Sequence, residues 1–208
     1  MNSSVHWDSA YESLSAPWLI GQPQPAIVEL ERAGLITGKV LDVGCGAGEH
    51  TIHLTTLGYD VLGVDLSPRA VEHARANAAA RETAARFEVA DALNLGSEPR
   101  FDTIVDSALF HIFDSARDRA AYLRSLHAVL RPGGRLHILA LAESDEPGFG
   151  PRIPESAIRD AVVGGWELAG LRPTRYRVRI GAPDAARSGL REGAIADLPA
   201  HLARATRV

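Results

Sequence analysis

The sequence is poor in several residue types, and each scarcity argues against a class of protein. It contains one cysteine, Cys45, so no disulfide can form within the chain. No apolar run approaches the ~20 residues that cross a membrane as a helix. The N-terminal stretch, which includes Asp8 and Glu12, lacks the core of a signal peptide. We therefore expect a cytoplasmic protein in a reducing compartment, without a membrane partner.

Basic charge is also scarce and scattered. Lys39 is the only lysine, the net charge is −4, and the arginines form no cluster. Binding to nucleic acid needs clustered basic residues, so the charge distribution argues against such a partner. The 208 residues are 46% hydrophobic and 23% charged, which fits one domain, 1–208, with a sizeable core.

The most informative segment begins at Val40 and reads VLDVGCGAG, a short apolar strand that runs into a glycine-rich turn. A helical pattern follows at once. Strand, glycine turn and helix together bring backbone N–H groups close to a nucleotide-like ligand. A second apolar strand ends at Asp65, where a carboxylate can accept hydrogen bonds from both ribose hydroxyls. These two features predict a site for an adenosine cofactor.

The glycine spacing discriminates between adenosine cofactors. A dinucleotide fingerprint that starts at Gly44 needs its third glycine at position 49, which is Glu49 here. A carboxylate there would repel a pyrophosphate, so an NAD-dependent oxidoreductase is the weaker alternative. A P-loop is excluded because no Gly-Lys-Ser/Thr follows. Glycines at Gly44, Gly46 and Gly48, after the acid Asp42, favour a phosphate-free cofactor with an amino-acid tail.

Strand and helix patterns alternate along the chain, which predicts an α/β fold with a parallel sheet and helices on both faces. Ser67 and Pro68 have the residue types preferred at the N-cap and first position of a helix. Strands are predicted at about 39–43, 60–64, 86–90, 102–106, 135–140 and 176–180, and helices at about 26–34, 48–57, 68–80, 117–130 and 155–163.

Five blocks occur in a characteristic order: VLDVGCGAG, GVDLS at 63–67, ADAL at 90–93, FDTIVDSALFHIF at 101–113 and LRPGGRLHIL at 130–139. Their order and spacing resemble the motif set of class I S-adenosylmethionine-dependent methyltransferases, over about residues 17–140. The resemblance implies a Rossmann-like sheet of seven mostly parallel strands, with an antiparallel edge strand at about 201–207. It also implies S-adenosylmethionine as the cofactor, a small-molecule acceptor and no metal.

The resemblance further assigns residues to the cofactor. Asp91 is expected to accept from the adenine amino group, Ala92 to offer a backbone N–H, and Leu66 to pack on the ring. The backbone around Asp106 and Ser107 is expected to meet the methionine amino group. The full set of expected cofactor contacts is Trp18, Gln22, Asp42, Gly44, Cys45, Gly46, Gly48, Asp65, Leu66, Asp91, Ala92, Asp106 and Ser107.

Histidines are the candidates for acid–base chemistry. His111 follows the fourth strand, where the family places substrate-facing residues, and an imidazole with a pKa near ~6.5 can accept a proton. We expect it to act as a base or to orient the substrate; the alternative is a histidine that only packs or that bonds to the backbone. His50 and His53 are spaced to share a helix face, but no third ligand is recognisable, so a metal is not expected.

The N-terminal segment, 1–25, contains PWLIGQPQP and resembles a segment of bacterial methyltransferases of heterocyclic compounds and of thiopurine and thiol/halide methyltransferases. The resemblance implies a lid in which Trp7, Tyr11 and Trp18 form aromatic walls for a flat ring; the alternative is an ordinary packed helix. A loop at 141–155 is expected beside the site. A thiol, halide or metalloid acceptor, or a non-catalytic cofactor-binding protein, remains open, as does the oligomeric state.

Overall fold

A computed structural model describes residues 8, 11, 16–146 and 150–208. Among these residues, seven strands form one sheet in the order β3–β2–β1–β4–β5–β7–β6. The strands are β1 (Lys39–Val43), β2 (Asp60–Asp65), β3 (Arg86–Val89), β4 (Phe101–Ser107), β5 (Leu130–Leu141), β6 (Trp166–Arg179) and β7 (Ile195–Arg207). The helices are α1 (Pro25–Arg32), α2 (Glu49–Thr56), α3 (Pro68–Ala80), α4 (Ala116–Val129), α5 (Glu155–Ala161) and α6 (Ala182–Ser188).

The first five strands are parallel and place their carboxyl ends at one edge of the sheet. β1 is central and pairs with β2 on one side and β4 on the other, so that Val43 lies opposite both Val64 and Asp106. Four of its five residues are buried, as expected for a strand covered on both faces. The loops that follow these strands therefore converge above the centre of the sheet.

Helices cover both faces of the sheet, as the alternating pattern predicts. On one face α4 packs Tyr122, Leu123 and Leu126 onto the strands. On the other face α1 packs Ile27 and Leu30. The predicted cap of α3 is confirmed, since the Ser67 hydroxyl accepts a hydrogen bond from the backbone N–H of Ala70 at 3.0 Å. The short helix expected near 155–163 is α5.

The seven-stranded, mostly parallel sheet with antiparallel pairing at its edge is confirmed, with one difference in detail. β7 pairs antiparallel with both β5 and β6, so it lies one position inside the edge, and β6 is the edge strand. The inner position suits β7, whose Leu198, Ala200 and Leu202 are buried. β6 contains Gly170 and Pro173, which are tolerated in an edge strand. These residues interrupt the strand pattern, so the sequence predicts only the last part of β6.

Two sequence predictions fall partly outside the described residues. Trp7 lies outside them, as do positions 147–149 of the loop expected beside the site. Within the described ranges, no helix is long and apolar enough to cross a bilayer.

Candidate active site

A cavity of about 520 Å³ opens at the carboxyl ends of the central strands. This volume lies within the ~300–1,000 Å³ typical of small-molecule sites. Its walls come from the turn after β1, the loops after β2, β3 and β4, the N-terminal segment and β6. In an open α/β sheet this crevice is where ligands bind, because the connections diverge there and leave space.

The glycine turn after β1 forms the cavity floor. The backbone N–H groups of Gly44 and Cys45 both donate to the carbonyl of Val64, at 2.8 and 2.9 Å, which ties the turn to β2. Gly44 and Gly46 have φ of +70° and +54°, where other residues are strained. A Cβ on Gly46 would lie 2.7 Å from the Tyr11 hydroxyl, so a side chain there would invade the cavity. Burial raises the pKa of the Cys45 thiol, which keeps it neutral.

Asp65 lies at the end of β2 and lines the cavity beside Leu66. One carboxylate oxygen accepts from the backbone N–H of Gly46 at 2.9 Å and the other from that of Ser67 at 2.9 Å. Burial raises the pKa of Asp65, and these two N–H groups oppose the rise. Each oxygen retains a lone pair for a further donor, so the carboxylate can receive two hydroxyls from the cavity.

Asp91 and Ala92 line the cavity after β3. The exposed Asp91 carboxylate accepts from the backbone N–H of Leu93 at 2.9 Å, which turns the chain across the cavity rim. The structure therefore brings the predicted adenine contacts to the same cavity as Asp65.

Two residues of the glycine motif, Asp42 and Gly48, are buried beneath the cavity and are not among the residues that line it, so their contacts with the cofactor stay predictions. One oxygen of Asp42 accepts from Thr51 twice, from the backbone N–H at 3.1 Å and the hydroxyl at 2.6 Å, which ties β1 to α2. Burial raises the pKa of Asp42 to about 6. Gly48 precedes α2 with φ +85°, and a Cβ there would meet the Phe87 ring at 2.8 Å, so this glycine permits close packing.

Asp106, a third predicted cofactor contact, is not among the residues that line the cavity. It is fully buried near the end of β4, and its carboxylate accepts from the backbone N–H of Leu109 at 2.9 Å and from the Tyr122 hydroxyl at 2.8 Å. Burial raises its pKa to about 7. The side chain holds the loop after β4 from below, while the next residue, Ser107, does line the cavity.

His111 lines the cavity from a 3₁₀ helix, Phe110–Ile112, and is buried. Its Nδ1 accepts a hydrogen bond from the backbone N–H of Leu141 at 3.1 Å. Burial lowers the pKa of the ring to about 4, so the ring is neutral near pH 7. A neutral ring that accepts through Nδ1 carries its hydrogen on Nε2. This geometry favours an orienting donor over a base.

The N-terminal segment contributes one wall. Trp18 and Gln22 line the cavity as expected, together with Tyr11. The Trp18 indole N–H donates to the Tyr11 hydroxyl at 3.0 Å, and the two rings pack edge to face with centroids 6.2 Å apart. The described part of this segment therefore presents aromatic surface to the cavity.

The sequence prediction missed several polar residues of the cavity: Gln24, Glu49, His50, Asp114, Asp118 and Tyr176. The buried Gln24 amide joins the N-terminal segment to β6, since it donates to the Arg177 carbonyl at 2.8 Å and accepts from the Arg177 N–H at 2.7 Å. No sequence pattern predicts a contact between Gln24 and Arg177, because they are far apart in the chain. His50 lies in the first turn of the helix that follows the glycine turn, and this position could have been used to predict that it lines the cavity.

His50, the first of the two histidines on α2, is held by a backbone hydrogen bond. His50 Nε2 accepts from the backbone N–H of Gln24 at 3.1 Å, and burial lowers the pKa of its ring to about 4. Among the residues that the structure describes, no group of three or more His, Cys, Asp or Glu side chains could hold a metal ion.

Comparison with known proteins identifies the class. Residues 40–134 match the methyltransferase domain family. A relative from Mycobacteroides abscessus, 2-heptyl-1-hydroxyquinolin-4(1H)-one methyltransferase, is 36% identical over 185 residues, which cover 84% of this chain and 80% of the relative. The protein therefore belongs to the S-adenosylmethionine-dependent methyltransferases; it is an enzyme, and S-adenosylmethionine is its cofactor.

Two further similarities refine this placement. A solved structure from work on the conversion of a disulfide bond into a thioacetal group during echinomycin biosynthesis is 38% identical and has a TM-score of 0.86. The match covers 98% of this chain and 92% of the chain in that structure. A probable thiol methyltransferase 2 from Arabidopsis thaliana is 31% identical over 153 residues, covering 72% of this chain and 67% of the relative.

Proposed function

We propose that this enzyme methylates an O, N or S atom of a small, heterocyclic aromatic acceptor. The observation that carries the proposal is a single cavity that joins an adenosine-type end, at Asp65 and Asp91, to an end with Trp18, Tyr176 and His111. Flat aromatic walls with a few polar groups suit a planar ring. The relative from Mycobacteroides abscessus, named for a hydroxyquinolinone, supports this acceptor class.

The residues at the adenosine end fit the cofactor. Asp65 would accept from the ribose hydroxyls, Asp91 would accept from the adenine amino group, and Leu66 would pack on the ring. The side-chain-free surfaces of Gly44 and Gly46 leave room for the methionine part, which a Cβ on Gly46 would obstruct. When bound, the cofactor supplies a methyl group already activated by its sulfonium.

The protein's own contribution is alignment and exclusion of water. A reaction that starts from an activated methyl group gains most from holding the nucleophile in line with it. Trp18 and Tyr11 cover the acceptor from the N-terminal segment, and the Nε2–H of His111 donates to an acceptor atom. Gln24, through its bonds to Arg177, holds this segment against β6.

A sulfur acceptor is the second candidate function. The 38% identical structure from work on a disulfide and the 31% identical thiol methyltransferase both favour sulfur. Sulfur is a soft nucleophile that needs alignment but no tightly matched polar pocket, so the same cavity can serve it.

Release of S-adenosylhomocysteine from a panel of acceptors tests the proposal. The panel contains hydroxyquinolines, simple phenols, thiols and iodide, with an acceptor-free reaction as the control. Turnover confined to the flat heteroaromatics is the expected result. Turnover confined to thiols or iodide would favour the second candidate function. An absence of turnover by enzyme that still binds the cofactor would refute both candidate functions.

A further inference from the structure

Two histidines of the cavity wall are held in the same manner. His111, on the loop after β4, accepts a backbone N–H at Nδ1, and His50, on α2, accepts one at Nε2; both bonds are 3.1 Å long. A neutral imidazole has one ring hydrogen, which lies on the nitrogen that does not accept. The hydrogens therefore lie on Nε2 of His111 and Nδ1 of His50, and both histidines are donors.

Neither ring can readily take up a proton. Protonation of the bonded nitrogen would break the hydrogen bond to the backbone and leave that N–H without its acceptor. It would also create a charge where burial disfavours one, and burial already lowers the pKa of both rings to about 4. Above about pH 5 the two rings thus remain neutral donors.

The other titratable groups that line the cavity are Tyr11, Cys45, Glu49, Asp65, Asp91, Asp114, Asp118 and Tyr176. None of the described lining residues is a lysine or an arginine. Burial raises the pKa of Tyr11, Cys45 and Tyr176, which keeps them protonated. Asp65 and Asp91 belong to the adenosine end, and Asp114 and Asp118 are exposed at the rim.

Glu49 is the remaining competitor for the role of a base. Burial raises the pKa of its carboxyl, while the backbone N–H groups of Glu49 and Gly21 and the charge of Arg81 oppose the rise. The carboxylate is thus already engaged at the start of α2. We therefore design the test so that a role for Glu49 as base gives a distinct result.

We infer that the cavity takes its acceptor as an anion, an acidic heteroaromatic hydroxyl or thiol that has lost its proton to solvent and is held by the N–H groups of His111 and His50. This inference rests on the proposed function and deepens it. The lone pair of the anion forms the new bond to the methyl carbon as the carbon–sulfur bond breaks, and sulfur keeps that electron pair. The negative and positive charges cancel, and no proton is released in the cavity.

The first test reads the ionisation state of a bound probe without turnover. The probe is 1-hydroxyquinolin-4(1H)-one, titrated by its ultraviolet absorbance in a complex of the full chain with S-adenosylhomocysteine. We expect the pKa of the bound probe to fall at least one pH unit below its value in buffer. A bound pKa that is unchanged or raised, or a probe that does not bind at any pH, would overturn the inference.

Substitutions at His111 assign the effect. His111→Gln retains an N–H donor, whereas His111→Leu does not. We expect the glutamine variant to keep most of the pKa shift and the leucine variant to bind the anion at least tenfold more weakly, with unchanged affinity for the O-methylated probe. Cofactor binding and a cooperative melt confirm that each variant is folded. Equal loss in both variants, or equal loss for both forms of the probe, would contradict a donor role.

The second test uses the pH dependence of kcat/KM for two acceptors of different solution pKa. We expect the rising limb to move with the pKa of the acceptor, both in the parent enzyme and in Glu49→Gln. A limb at the same pH for both acceptors, or one that Glu49→Gln removes, would show that the enzyme supplies a base. This failure differs from failure of the proposed function, which would appear as no turnover of any acceptor.

Discussion

At the scale of single residues, Asp65 and Asp106 illustrate how similar positions take different roles. Both are acids near the carboxyl ends of parallel strands, β2 and β4, which lie on either side of β1. Asp65 reaches the cavity, where its two oxygens hold Gly46 and Ser67. Asp106 is turned into the core, where it bonds Tyr122. The direction of each side chain relative to the sheet therefore decides which acid meets the ligand.

We expect Asp65→Asn to weaken the binding of S-adenosylmethionine by about 10- to 100-fold, since hydrogen bonds to a charged group contribute about 1.5–3 kcal/mol. Asparagine keeps one oxygen for a backbone N–H, so the fold should persist. Titration calorimetry measures the change. Asp60→Asn is the matched control, because Asp60 lies exposed on the same strand and pairs with Arg86. Equal affinities for the two variants would contradict the ribose role.

Asp106 should impose a pH dependence on stability. Burial raises its pKa to about 7 in the folded protein, so between about pH 4 and 7 the folded state binds more protons than the unfolded state. The stability linked to this proton is fully present below pH ~4 and is lost as pH rises through about 7. We therefore expect Asp106→Asn, which does not titrate, to gain stability relative to the parent as pH rises.

Urea unfolding at pH 5 and pH 8 measures this change. The difference in unfolding free energy between parent and Asp106→Asn should shift by an amount on the order of a few kcal/mol, since one pKa unit corresponds to about 1.4 kcal/mol. Asp160→Asn, at an exposed position on α5, is the control and should show no shift. The same difference at both pH values for Asp106→Asn would refute the assignment.

At the scale of elements, α2 depends on a glycine that does not touch the cavity. Gly48 has φ +85°, and a Cβ there would lie 2.8 Å from Phe87 and 3.0 Å from Ala74. Close packing of α2 against α3 and β3 therefore requires glycine here. Since α2 carries both Glu49 and His50, this packing also sets one wall of the site.

Gly48→Ala should be clearly more destabilising than Gly58→Ala. Both glycines have positive φ, +85° and +91°, but a Cβ on Gly58 would meet nothing within 4 Å. Backbone strain of about 1–2 kcal/mol applies to both, and overpacking adds roughly 1–3 kcal/mol at Gly48 alone. Thermal and urea unfolding measure both variants. Equal losses of stability in the two variants would contradict the prediction, because they would mean that Phe87 and Ala74 can move away from the added Cβ at Gly48 without a loss of free energy.

At the scale of the whole molecule, the two ends of the chain differ in their place in the fold. β7 pairs with β5 on one side and β6 on the other, so it completes the sheet. Residues 16–25 contribute Trp18, Gln22 and Gln24 to the cavity wall and are held by contacts such as the bond from Arg179 N–H to the Pro17 carbonyl, 2.8 Å long. One end belongs to the core and the other to the site.

Deletions at the two ends should therefore remove different properties, turnover in one case and cooperative folding in the other. Removal of residues 1–20 should leave a cooperative melt but abolish turnover, because Tyr11 and Trp18 of the cavity wall are lost. Removal of residues 195–208 should abolish the cooperative melt, because β5 and β6 lose their shared partner. Calorimetry and S-adenosylhomocysteine release measure the two properties. Retained turnover after the first deletion would refute the lid.

Much of the site could be predicted because it is local in sequence. The glycine turn, Asp65 and the pair Asp91–Ala92 each lie at or just after the carboxyl end of a parallel strand, and these ends meet at one edge of the sheet. Gln24 and Tyr176 could not be predicted, because their place in the wall depends on contacts between the N-terminal segment and β6. That Asp42, Gly48 and Asp106 are absent from the cavity lining could not be predicted, since a motif does not show on which side of the sheet a side chain is buried.

The sequence by itself determined the alternation of strands and helices, the cofactor class and the family, because periodicity and short motifs are encoded by neighbouring residues. The tertiary structure alone decided that β7 lies between β5 and β6 in the sheet. It also decided that Gln24 forms hydrogen bonds with Arg177, and that His111 accepts a hydrogen bond from the backbone N–H of Leu141. Each of these depends on hydrogen bonds between distant segments. The tautomer of His111, and with it the choice between base and donor, follows from such a bond.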